Sequence, residues 1–247
     1  MDHIHISLPS ETVFHVGSFV VTNSILTSFL VSIVICVVLI AVARRTAVAP
    51  NKGVGFVVES AAETIVEQMT TVLGSRQVAL KYFPLIATFF FFILFNNWLG
   101  LIPGFTHIMV TTPDGVVPLL RRTTSDLNTT IALALISFFL TLAFGFKQLG
   151  VWGTLKRYFH GNPFMWGIGL MELVLEFTRI LSFSFRLFGN IFAGEVLLIV
   201  ISALVPVVVP TPFLGFELFV GAVQAYVFSI LTLVFISLAV TPVAEEH

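Results

Sequence analysis

Two charged residues stand inside one apolar run, LSFSFRLFGNIFAGEVLL at 181–198: Arg186 and Glu195. A guanidinium keeps its proton at any reachable pH, so burial leaves it charged. At mid-bilayer that charge costs about 2.5–3.5 kcal/mol on insertion scales and much more in simulations. A chain retains such a residue where something nearby uses the charge. Ionisable side chains within membranes face a bundle interior or a wet cavity, and they mark ion and substrate paths. The structural alternative for Arg186 is a fixed pair with Glu217 or another acid. Glu217 lies in a second apolar run, 213–240, with Gln224 seven residues on and therefore on the same helical face. For Glu195 and Glu217 an ion-path role outweighs structural pairing.

At about 100° per residue, Glu172, Glu176, Arg179, Arg186 and Asn190 fall within roughly 80° of one another on a helix. Ser182, Gly189 and Ala193 border that stripe and keep it slim, so a second helix could approach closely. Glu195, nine residues beyond Arg186, falls roughly half a turn round the helix, which disfavours a salt bridge between them. The pattern suits a charge facing a partner on one side and a wet carboxylate pocket on the other. Arg179 reads as a snorkelling residue or a partner of Glu172 or Glu176. His3, His5 and His15 read as a polar tail in preference to a metal site, and His107 and His160 as loop residues.

The positioning elements are membrane helices. The 247 residues are 57% hydrophobic with mean hydropathy +1.04, and only 10% are charged, against about 25% in a soluble domain. Together with 27 phenylalanines, this describes a polytopic membrane protein. A net charge of −1 argues against nucleic acid as a partner. Cys36 is alone, so no internal disulfide forms. Residues 1–18 carry Asp2 and Glu11 but no Lys or Arg, and no cleavable signal is expected.

In chain order, 1–18 is an outside tail and 19–43 a first span closed by Arg44 and Arg45. Residues 53–78 form an interfacial amphipathic helix with Glu59, Glu63 and Glu67 on one face. That face is read as solvated, with a partner's basic surface as the sharper alternative. Residues 82–103 and 126–146 make a membrane hairpin joined by a Thr-, Pro- and Gly-rich loop, the second helix led by SDLNTT. Asn96 and Asn97 suit helix–helix hydrogen bonding. Residues 164–210 form one apolar region of 47 residues, about 70 Å as a helix. It must therefore tilt strongly or break, and the chain end returns to the inside if it makes one hairpin with 213–240. With Arg44, Arg45, Lys52, Arg76, Lys81, Lys147, Lys156 and Arg157 on one side and Arg121 and Arg122 on the other, the N-terminus is outside and the C-terminus cytoplasmic.

The motif SFRLFGNIFAGE resembles the signature of subunit a of F-type ATP synthases, the stator half of the membrane motor. FNNWLGLIPGF, SDLNTTIALAL, VQAYVFSILT and the acidic-His end resemble that family's segments in the same order, covering about 80–240. The resemblance implies an all-α fold of about five membrane helices plus an interfacial helix, the last two a tilted hairpin wrapping the rotor. It implies no cofactor and no catalysis by the chain itself. The partners it implies are the c-subunit ring, the b-subunit peripheral stalk and the lipid bilayer, in a bacterial inner membrane. Arg186 corresponds to the family's essential arginine. Glu195 and Gln224 correspond to half-channel and ring-facing positions, with Asn190 inside the motif. Glu217 stands where some relatives carry His, and Asp126 and Asn128 match an outer half-channel patch. Many relatives have Pro where this chain has Ile180, which implies a more continuous helix here. The ion is H+ or Na+, since the carboxylate that binds it belongs to the ring. The competing classes are a stand-alone channel or secondary transporter built on an Arg–Glu pair, and a structural membrane scaffold.

Overall fold

The computed structural model describes residues 10–45, 54–102, 104–105, 108–112, 115–158, 166–205 and 208–241. His3, His5, Lys52, Pro103, His107, His160 and the acidic-His end lie outside the described residues. Six helices dominate these segments: α1 (Asn23–Arg45), α2 (Val54–Leu73), α3 (Arg76–Leu99), α4 (Leu127–Tyr158), α5 (Trp166–Leu204) and α6 (Pro210–Val240). All but α2 contain a stretch long and apolar enough to cross a bilayer. The protein is an all-α polytopic membrane protein.

Two short β-hairpins decorate this frame. Strands β1 (Thr12–Val16) and β2 (Phe19–Thr22) pair antiparallel, as do β3 (Met109–Thr112) and β4 (Gly115–Pro118). The first expected span therefore loses 19–22 to β2, and the helix starts at Asn23. Asn23 fixes this junction: its side-chain Oδ1 accepts from the Glu11 N–H and its Nδ2 donates to the Pro118 carbonyl. A buried polar side chain thus joins both hairpins to the start of α1.

The amphipathic helix expected over 53–78 stops at Leu73. Gly74 takes φ +71°, a left-handed conformation that ends helices, and its N–H bonds the Thr70 carbonyl. Extended Ser75 then leads into α3. Ile65, Val66 and Met69 of α2 are buried, while Glu59, Glu63 and Glu67 are exposed. Arg76 pairs with Glu63 at 2.8 Å, so part of the acidic face is matched within the chain. The third span kinks late, at Gly150 with φ +72°.

α3 packs on α6, and α4 packs on both α5 and α6, leaving α5 with one face uncovered. The central core joins Phe89 and Ile93 of α3, Leu133 of α4, Phe183, Leu187 and Ile191 of α5, and Phe228 of α6. Buried hydroxyl pairs stitch the same helices: Thr130 with Ser184 at 3.1 Å, and Ser137 with Thr232 at 2.9 Å. α5 runs unbroken through Ile180 for 39 residues, about 58 Å. α6 follows at Pro210 and packs against α5, so the two helices form a hairpin.

Candidate functional site

The exposed and buried faces of α5 diverge at mid-helix. Phe183, Ser184, Leu187 and Ile191 are buried, whereas Ser182, Phe185, Arg186, Gly189, Asn190 and Ala193 are exposed. Arg186 Nη2 donates to Ser182 Oγ at 3.4 Å, one helical turn back. Among the described residues no carboxylate pairs with this guanidinium. Leu175, Leu197 and Val200, exposed and within roughly 40° of it round the helix, continue its face as an apolar surface. A permanent cation thus stands on a lipid-like face, bordered by small residues.

Arg179 is arranged differently. Its guanidinium lies 4.1 Å from the centroid of Phe235 and 3.7 Å from Glu176. That charge is spent on neighbours of its own chain.

The opposite edge of α5 holds the acids. Glu217 is buried on α6 and its Oε1 accepts from Arg122 Nη1 at 2.8 Å, the two side chains being 5% and 4% exposed. The acid named in the structural alternative for Arg186 is therefore committed elsewhere. The Glu217 carboxylate rests against Gly194, where any Cβ would collide with it. Arg122 rests in the same way against Gly100, where a Cβ would come within 2.8 Å of its Cγ. Glu195 follows Gly194, acts electrostatically on Glu217, and keeps Oε2 buried without a hydrogen-bond donor among the described residues.

The remaining expected residues divide. Asn190 Nδ2 donates to Gln224 Oε1 at 3.0 Å, and Gln224 is buried, so Asn190 is the member of that pair on the surface. Asp126 is buried at the start of α4, where Oδ1 accepts from the Asn128 N–H at 3.0 Å and its carbonyl from the Thr130 N–H. That is helix capping. Asn128 is exposed. Asn97 donates to the Gly221 carbonyl at 2.9 Å and accepts from Thr124 Oγ1 at 2.6 Å, joining α3, α6 and the 3-10 turn at Thr123–Ser125.

Residues 25–237 match the family described as ATP synthase A chain. The chain belongs to that family. It is 33% identical over 238 residues to "ATP synthase subunit a 2" of Bradyrhizobium sp., covering 96% of this chain and 97% of the relative. It is 40% identical over 176 residues to ATP synthase subunit a of Gloeobacter violaceus, 71% of this chain and 66% of that one. A third relative, "ATP synthase subunit a, sodium ion specific" of Propionigenium modestum, is 41% identical over 162 residues, 63% and 53% of the two chains.

In this member of the ATP synthase A chain family, sequence reasoning missed Arg122 by counting it as a surface charge of the outer loop. A signal was present. Glu217 stands alone among apolar residues and needs a cation, and the only basic residues assigned to its side of the membrane were Arg121 and Arg122. Sequence spacing could not show which segment folds over α6.

Proposed function

We propose that this chain is the stator subunit of an F-type ATP synthase membrane motor, conducting protons to and from the carboxylates of a c-subunit ring through two aqueous half-channels. The observation that carries the reading is Arg186: charged, exposed on the apolar face of α5, and unmatched by any carboxylate among the described residues. Such a face is stable in a membrane only against a partner that offers an anion.

A ring carboxylate that is protonated can face lipid. Opposite Arg186 its ionised form is favoured, because an opposite charge within a few ångströms stabilises it. The proton then leaves into one half-channel, and after rotation the next carboxylate is loaded from the other. The cluster of Glu195 and Glu217 is the relay on this chain, with Asn190 and Gln224 between it and the ring and Asp126 and Asn128 toward the outer path. The fixed charge of Arg186 bars protons from passing straight between the paths. Each charge crossing about 100 mV supplies roughly 2.3 kcal/mol for torque. The same architecture serves Na+ if the ring carboxylate selects it, and one relative's name carries that ion.

The Gly169–Leu204 stretch is 36 residues, about 54 Å, against about 30 Å of hydrocarbon. The α5–α6 hairpin therefore lies steeply tilted along the ring. The basic residues near the ends of α1, α3 and α4 orient it with the N-terminus outside and the C-terminus in the cytoplasm of a bacterial cell. The b-subunit peripheral stalk holds the chain against rotation.

Arg186→Ala in the assembled complex tests the reading. Coupled ATP synthesis and ATP-driven proton pumping are expected to vanish while the ring still co-purifies. Pumping near the unmodified rate would remove the proposal. A stand-alone channel would instead conduct as the isolated chain in liposomes.

A further inference from the structure

The stator reading gives α1 no task of its own. Most of its length is loosely attached: Phe29, Ile33, Val37 and Ile40 are exposed, and Val31 is its one buried apolar side chain among the described residues. Its buried polar residues, Asn23, Ser24 and Thr27, are gathered at its start. Polar groups are costly to bury unless they are bonded, and here they are bonded to one place. Asn23 Nδ2 donates to the Pro118 carbonyl at 3.3 Å, and Thr27 Oγ1 accepts from the Arg121 N–H at 3.1 Å. The Ser24 carbonyl accepts from Thr123 Oγ1 at 3.4 Å. Thr27 Oγ1 also donates to the Asn23 carbonyl at 2.9 Å, so its hydroxyl is used in both directions.

The residues in between turn the other way. Arg122 donates to Glu217 of α6 at 2.8 Å, and Thr124 donates to Asn97 of α3 at 2.6 Å. Residues 121 and 123 therefore grip α1, while 122 and 124 reach α6 and α3. Arg122 has little else to aim it. Its Nε is buried without an acceptor among the described residues, and its stem rests on Gly100, which has no side chain to hold it. A long side chain held by one ion pair is only as well placed as the backbone beneath it.

We infer that the start of α1 is a positioning element of the ion path: Asn23, Ser24 and Thr27 fix the backbone on either side of Arg122 and so set where the Arg122–Glu217 pair stands. The ion path itself is that of the stator reading, on which the inference rests. The first span is then more than an anchor. Its lipid-facing length tolerates change, and its first five residues do not.

Proton flux through the assembled complex in proteoliposomes, compared at equal recovery of the ring, tests this. Thr27→Val keeps the shape but leaves the Arg121 N–H buried without an acceptor. It is expected to lower flux about tenfold by misplacing Arg122. Thr27→Ser restores the hydroxyl and is expected to restore flux. Phe29→Leu and Ile33→Ala, on the exposed side of α1, are expected to leave flux unchanged. A density map of the Thr27→Val complex is expected to show the Arg122 guanidinium withdrawn from the Glu217 carboxylate. Unchanged flux in Thr27→Val, equal losses from the exposed side, or lost flux with the pair still in place would overturn the inference. Should Thr27→Val not assemble, Asn23→Leu is read in its place by the same criteria. Failure of both to assemble while Thr27→Ser assembles would assign the joint to assembly alone, which also overturns it. Arg186→Ala runs in parallel. If that variant stays coupled, the stator reading fails. If it is uncoupled while Thr27→Val keeps full flux, only the role of α1 falls.

Discussion

At the scale of single residues, three arginines meet three fates. Arg179 is absorbed by Glu176 and an aromatic face, Arg122 by a buried glutamate, and Arg186 by neither. Only the last has charge to offer another chain. Shape decides as much as charge. Gly194→Ala places a methyl group on the Glu217 carboxylate, which must shift to make room. We expect about 3–5 kcal/mol of lost stability if the pair breaks, read as a fall in the thermal midpoint of the purified complex, with reduced proton flux. Asn97→Leu deletes bonds to the Gly221 carbonyl and Thr124 and leaves the Thr124 hydroxyl buried. It should cost about 1–3 kcal/mol by the same measurement, and an unchanged midpoint would refute the joint it is said to form. That Arg186 and Glu195 are candidates was legible from sequence, because a charge in an apolar run demands explanation. Arg122 was not, because its burial is created by a loop folding over α6, which no periodicity encodes.

Among the elements, α5 carries the account. Its buried side is an ordinary helix–helix interface, and its other side is apolar, slim and interrupted by one cation. Gly189 belongs to the slim border, and a Cβ there meets nothing within 4 Å. Gly189→Phe should therefore leave the chain's own fold intact, with an unchanged helical signal, while reducing recovery of the ring with the complex. Full recovery and full coupling would mean that the ring approaches another face. The apolar run at 164–210 announced one long element, tilted or broken, with an acid on its far side; the helix found is unbroken and shorter, Trp166–Leu204. Sequence reasoning misplaced smaller features for local reasons. Gly74 with Ser75 cut the amphipathic helix short through a left-handed turn, and strands of four or five residues at 12–22 and 109–118 were too brief to register against the neighbouring hydrophobic runs.

On the scale of the whole molecule, the proposed orientation of the five candidate spans has the N-terminus outside and the C-terminus in the cytoplasm. In a Cys36→Ser background, Ser10→Cys should react with a membrane-impermeant maleimide added outside intact cells, and Thr241→Cys only after permeabilisation. The reverse pattern would invert the proposed orientation. The buried pair Arg122–Glu217 stands at the junction of α6 with the segment before α4, and the exposed arginine on the outer wall of α5. A stator needs that division, with one charge fixed inside its own frame and another held out to a moving neighbour. A density map of the assembled complex, at a resolution that places side chains, tests the account most directly. It predicts the Arg186 guanidinium turned toward the ring, with a ring carboxylate as its nearest acid. A guanidinium turned inward and bound to an acid of its own chain would contradict it.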